Sequence, residues 1–160
     1  MRRSVWLACA TVCLAAGPPD ARADVTAFLG VSPTPASHLG RGVAAGAGLV
    51  IVGFEFEAAQ LVERADEDVP GLTTGMANLL VQTPLRVAGL QFYGTSGVGV
   101  YRERLGRLQE TSVAANIGGG IKLTVAGPLR LRIDYRLLRL RGEPLHPTYH
   151  RFYAGANLGF

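Results

Sequence analysis

Apolar and polar side chains alternate with a period of two along much of the chain, and the densest run, Leu129 to Arg141, reads LRLRIDYRLLRLR. Residues two apart share a face of a strand, whereas a helix would scatter these arginines around its girth. One face of the run carries Leu129, Leu131, Ile133, Tyr135 and Leu137, and the other Arg130, Arg132, Asp134 and Arg136. The same alternation sets Leu90, Phe92, Val98 and Val100 against Gln91, Tyr93, Thr95 and Tyr101. It also sets Val113, Ala115, Ile117 and Ile121 against Glu110, Ser112, Asn116 and Lys122, and Phe152, Ala154, Ala156, Leu158 and Phe160 against Tyr149, Arg151, Tyr153 and Asn157. Gly, Pro and charged punctuation divides the chain into eight strand-like runs, roughly 24–32, 42–51, 53–63, 72–83, 89–103, 109–125, 129–140 and 148–160, with no helical period between them. The fourth run fits either facing, and the small-residue second run, AAGAGLVIVG, leaves its register open.

Alternation alone does not say which face is inside, because a soluble lipocalin-like carrier turns its apolar face inward with the same period. Two features favour a polar interior. The polar faces are rich in glycine, which suits the crowded axis of a narrow barrel, and the final strand ends with Phe160 on the apolar side. Closure into a barrel also removes the exposed edges of an all-β meander.

Four segments resemble the small outer-membrane β-barrel proteins of Gram-negative bacteria, the group containing the transmembrane domain of outer membrane protein A and the opacity-type surface proteins. They are Gly97-Val98-Gly99-Val100-Tyr101, Asn116-Ile117-Gly118-Gly119-Gly120, Arg132-Ile133-Asp134-Tyr135-Arg136 and the closing Tyr153-Ala154-Gly155-Ala156-Asn157-Leu158-Gly159-Phe160. The resemblance implies an all-β fold, an eight-stranded antiparallel up-and-down transmembrane β-barrel in the cell outer membrane, with Phe160 as the C-terminal signal for the barrel-assembly machinery. Spanning strands of about 9 to 11 residues in an even number fit eight comfortably; ten is the tight alternative. With the N-terminus on the periplasmic side, the outer loops fall around 33–40, 64–71, 104–109 and 141–147.

The opening residues read as a cleaved signal peptide over 1–23, leaving a barrel domain over 24–160: Arg2 and Arg3 precede the apolar VWLACATVCLAA, and Ala21-Arg22-Ala23 offers a small-x-small cleavage site. Both cysteines, Cys9 and Cys13, lie in that segment, so the expected mature chain has no thiol for a disulfide or a metal. Cleavage would leave 13 basic and 11 acidic residues, a formal charge of +2, with Lys122 the single lysine. A solvated surface usually carries many lysines, so this composition points away from one that is mostly water-facing.

Nine residues from Leu129, at about 3.3 Å each and tilted about 40°, cover roughly 23 Å, close to the apolar band of such barrels. The lipid-facing parity then runs on to Arg139 and Arg141, and in the fifth strand to Arg102 and Arg104. These four are expected at the outer rim, where a guanidinium fork suits the phosphates of lipopolysaccharide. Arg130, Arg132 and Arg136 face the interior and require carboxylates there; Asp134, Glu55, Glu57, Glu103 and Glu110 have the matching parity. The expected role is structural or surface-interactive, without cofactor, metal, nucleic acid or catalysis, and monomeric; a small passive pore, a soluble carrier and a lipid A-modifying enzyme are the alternatives. His146 and His150 lack a third metal ligand, and the scarce serines do not meet a histidine at strand spacing.

Overall fold

The computed structural model describes residues 22–34, 37–64, 67–84 and 87–160; most of the expected signal peptide, residues 1–21, lies outside them. Eight strands follow one another around a closed antiparallel barrel: β1 (Arg22–Ser32), β2 (His38–Gly48), β3 (Val52–Leu61), β4 (Gly71–Gln82), β5 (Leu90–Leu105), β6 (Leu108–Ala126), β7 (Leu129–Leu140) and β8 (Thr148–Gly159). Each strand pairs with its neighbours in sequence, and β8 closes onto β1 from Asp24↔Gly159 to Val31↔Phe152. Arg22 and Ala23, which the sequence assigns to the signal, open β1; Ala23 and Phe160 exchange two backbone hydrogen bonds of 2.9 Å that fasten the last rung of the seam.

The end of the barrel opposite the described termini carries the connections 33–37, 62–70, 106–107 and 141–147, and the terminal end carries 49–51, 83–89 and 127–128. Longer loops belong outside and short turns in the periplasm, which makes the first set the outer end. The outward face is apolar to a degree no water-facing surface shows: Leu29, Phe56 and Phe160 are each at least 71% exposed, while Glu55, Asp134 and Arg136 are buried inside. Burial of charge with exposure of Leu and Phe is stable only where the surroundings are hydrocarbon, so this is a membrane-inserted barrel.

Several boundaries differ from the sequence reading by two residues or more, and two of them have a clear local cause. The second strand begins at His38 and ends at Gly48 instead of covering 42–51, because Leu49, Val50 and Ile51 form the turn into β3; their aliphatic character suggests strand but serves an exposed turn at the inner edge of the apolar band. The outer loop expected over 104–109 shrinks to the two-residue turn Gly106-Arg107, where Gly106 takes a φ of 58° that a tight hairpin demands. The ambiguous β4 turns Leu72, Thr74, Met76, Asn78 and Leu80 inward.

Candidate functional site

The lumen is filled in three tiers. At the inner end, Lys122 Nζ meets Asp24 Oδ2 at 2.5 Å beside a cavity of about 200 Å³ whose lining includes Gln82, Gln91 and Arg130. Above it, β7 projects Arg132, Asp134 and Arg136 across the barrel at Glu55 and Glu57 of β3. Arg132 donates to both carboxylate oxygens of Glu55 and, at 2.8 Å, to Asp134. Arg136 lies 2.8 Å from Glu55, 2.9 Å from Glu57 and 3.2 Å from Asp134, and Arg151 of β8 reaches Glu57 at 2.9 Å.

Two tyrosines fill the space between the charges. The Tyr93 hydroxyl donates to Asp134 at 2.5 Å and accepts from Arg132 Nε at 2.7 Å, with the Arg132 guanidinium 4.9 Å from its ring centre. The Tyr153 hydroxyl donates to Glu57 at 3.3 Å. Gly120 makes this packing possible, since a Cβ there would stand 2.6 Å from the Tyr93 hydroxyl and 2.2 Å from the Ile133 carbonyl oxygen. Arg132, Arg136 and Arg151 thus face Glu55, Glu57 and Asp134 one for one, which is the condition under which buried charges are tolerated.

The outer tier is apolar. Leu61, Leu72, Met76, Tyr101, Leu138, Leu140 and Tyr149 form one buried cluster drawn largely from the outer ends of their strands. Glu103, expected to pair with an arginine, sits here instead: it accepts from the Tyr149 hydroxyl and the Leu145 N–H, both at 2.6 Å. Its parity is inward as the sequence indicates, but it stands above the arginine tier. Arg130 likewise misses the network, because it enters below the tier, and it makes no ion pair among the described residues. Arg151 and Lys122 are the functional residues that partner assignment from sequence overlooked; both are charged residues on faces already marked polar.

Around the rim, Arg102, Arg104, Arg139 and Arg141 are exposed. Arg104 is engaged by Glu63 at 2.9 Å; the other three side chains make no ion pair or hydrogen bond among the described residues. The outer connections are stapled edge to edge. Arg64 donates to the Ser37 carbonyl at 2.5 Å, and Glu63 accepts from the Gly106 N–H at 2.7 Å. Tyr101 donates to the Arg141 carbonyl at 2.6 Å, and Ser32 donates to the His150 carbonyl at 2.7 Å. The Gly106 N–H and Arg104 together hold the Glu63 carboxyl below its ordinary pKa. Among the described residues no serine hydroxyl bonds a histidine ring: His150 Nδ1 pairs with the Tyr135 hydroxyl at 2.8 Å and His38 Nδ1 faces the Val62 carbonyl.

Comparison with protein-family models and with curated proteins gives no match. Solved structures do match in fold. The N-terminal β-barrel domain of Pseudomonas aeruginosa OprF superposes with a TM-score of 0.64 at 15% identity, over 87% of this chain and 97% of that one. Neisserial surface protein A gives 0.63 at 15%, over 87% and 94%. The outer membrane enzyme PagL gives 0.54 at 10%, over 84% and 98%. The fold is therefore that of the small eight-stranded outer-membrane barrels, and with its apolar exterior and charged, filled lumen the chain is an outer-membrane protein.

Proposed function

We propose that this barrel has a structural or surface-interaction role at the outer membrane, without catalysis, and that Arg102, Arg139 and Arg141 hold it in the outer leaflet by contacting lipopolysaccharide phosphates. The observation that carries the reading is the contrast between two sets of arginines. Arg132, Arg136 and Arg151 in the lumen are matched by carboxylates, whereas Arg102, Arg139 and Arg141 point outward from strand ends with no partner among the described residues. Arg104, spent on Glu63, serves the loop staple instead. The stapled, short outer connections suit a rigid rim better than a mobile lid over a reaction site. A passive pore is disfavoured by the matched charge tier and the apolar tier above it, and a soluble carrier by the apolar exterior. The chain acts as a monomer without cofactor, inserted by the barrel-assembly machinery through Phe160.

The test is thermal stability in vesicles with and without lipopolysaccharide, read from the fraction of protein that keeps its unboiled gel mobility. Wild type should gain heat resistance from lipopolysaccharide, and a variant with Arg102, Arg139 and Arg141 all changed to Gln should lose that gain while remaining folded in phosphatidylcholine. An equal gain in both proteins would remove the rim contact from the proposal.

A further inference from the structure

Arg41 is an outward-facing arginine that stands below the rim. Its cross-strand row runs Leu29, Arg41, Gln60, Thr73, Arg102 from β1 to β5. Rows in this barrel climb towards the outer end with strand number: the one that starts at Val25 in the inner half of β1 passes through Ala45, Phe56, Ala77, Val98, Ala115 and Arg139 and ends at Thr148, the first residue of β8. At about 4.8 Å per strand and a tilt of about 40°, Arg41 lies roughly 9 Å nearer the bilayer centre than Arg102. Leu39 and Val43, on either side of it along β2, are 70% and 55% exposed, so the guanidinium is set among lipid-facing aliphatic side chains. Its hydrogen-bond partner is the Gln60 amide oxygen at 3.4 Å, and it makes no ion pair among the described residues. A cation in that position is costly unless an anion meets it or the side chain reaches the headgroup layer.

Beside Arg41 the barrel surface is hollowed. A groove of about 930 Å³ follows two neighbouring rows from Leu131 of β7 across β8, β1, β2, β3 and β4. The inner row consists of Ala156, Ala27, Val43 and Ala58, whose short side chains leave the trough; the outer row climbs to Arg41, Gln60 and Thr73. An apolar trough that rises into a guanidinium flanked by an amide and a hydroxyl matches a molecule with a hydrocarbon chain joined to a phosphorylated sugar. We propose that this groove seats one molecule of a phosphorylated glycolipid of the lipid A type, an acyl chain lying along Ala27 and Ala58 and a phosphate on Arg41. The inference rests on the reading that the rim faces lipopolysaccharide, but it concerns a different arginine and a site of defined stoichiometry. The bidentate fork holds the phosphate, and Gln60 and Thr73 offer hydrogen bonds to sugar hydroxyl or acyl-amide groups, which a phosphate on a simple diacylglycerol lacks.

The experiment is native mass spectrometry of the folded chain released from detergent after incubation with purified lipid A, and separately with phosphatidylglycerol. Three variants are compared with wild type: Arg41→Gln, Ala58→Phe, which fills the trough from an exposed position, and the triple rim variant. A single lipid A molecule should be retained by wild type and by the rim variant. It should bind about tenfold more weakly to Arg41→Gln and Ala58→Phe, all proteins keeping wild-type unboiled mobility. Wild-type binding by both groove variants, or equal retention of phosphatidylglycerol, overturns the seat. If the groove variants bind lipid A normally and still gain heat resistance from lipopolysaccharide, the rim reading survives and the seat alone fails. If Arg41→Gln loses the lipid while the rim variant keeps its heat resistance, the seat stands and the rim contact falls.

Discussion

Replacing Glu55 with Gln tests the charge tier without leaving a hole. The carboxylate is 2% exposed, accepts from both terminal nitrogens of Arg132, and lies 2.8 Å from Arg136. The amide has nearly the same shape, so packing is kept, but one of three anions facing three buried cations is lost and an N–H donor is aimed at a guanidinium. Breaking a buried pair by removing one partner costs about 3–5 kcal/mol, against about 0.5 kcal/mol or less for an exposed change such as Gln109→Ala. With a urea dependence of about 2 kcal/mol per molar, that lowers the unfolding midpoint by roughly 1.5–2.5 M. The assay is equilibrium unfolding in lipid vesicles followed by gel mobility and tyrosine fluorescence, the one tryptophan, Trp6, lying in the expected signal peptide. The double variant Glu55→Gln with Arg132→Met removes both charges and should cost less than the sum of the singles by about 1–3 kcal/mol. A single Glu55→Gln change no worse than Gln109→Ala, or strictly additive singles, would refute the claim that matched charges hold the lumen.

Two further outcomes follow from the geometry. Gly120→Val should destabilise the barrel by about 1–3 kcal/mol and lower the yield of compact band, since its Cβ would sit 2.6 Å from the Tyr93 hydroxyl. Gly75→Val, whose outward Cβ would meet nothing closer than Val100 Cγ2 at 3.8 Å, should fold like wild type. The Glu63 staple should depend on pH with a definite sign: a carboxyl held below its ordinary pKa contributes stability above that ordinary value and loses it as pH falls through the lowered one. Protection of the Gly106 amide against hydrogen exchange should therefore persist as the pH falls through the ordinary glutamate range and fade only below it, and Glu63→Ala, which removes the acceptor, should abolish it at neutral pH.

How much was legible in the sequence depended on whether a strand meets two different surroundings. In β7 the faces differ in charge, so alternation put Arg132, Asp134 and Arg136 on one face, and the glycine-rich polar faces and the terminal Phe160 marked that face as the inner one. In β4 the inward Leu72, Met76 and Leu80 oppose the outward Leu79 and Val81, so apolarity marked both faces and the pattern was mute. Partner choice was not readable, because Glu55 and Arg132 are separated by most of the barrel in sequence and meet only when the sheet closes across the lumen. Parity states which side a residue faces but not its height, which is why Glu103 and Arg130 have the expected facing and stand above and below the tier they were assigned to. The groove at Arg41 was hidden for the same reason, since its two rows exist only once the stagger of the strands is known.

The doublet Leu137-Leu138 explains why one strand carries arginines of two kinds. Below it, charge points inward and apolar side chains outward: Arg132, Asp134 and Arg136 against Leu131, Ile133 and Tyr135. Because Leu138 repeats the apolar type where the alternation asks for a polar residue, the arginines that follow fall on the opposite parity. Leu138 and Leu140 enter the buried outer cluster and Arg139 and Arg141 face out. The same exchange occurs in β3, where Glu55 and Glu57 face in and Phe54 and Phe56 out, followed by Ala59 and Leu61 in and Gln60 out. Both exchanges bring a polar group to the outer face just where the strand leaves hydrocarbon. A barrel side chain is sorted by the medium it meets on each face, so the point where the pattern inverts marks the edge of the lipid. That edge is where the unpaired arginines gather, and moving it is a matter of one residue: deleting Leu138 would turn Arg139 and Arg141 into the apolar tier at the places of Leu138 and Leu140, where Glu103 is already taken up by the Tyr149 hydroxyl and the Leu145 N–H, and the barrel should then fail to reach its compact form.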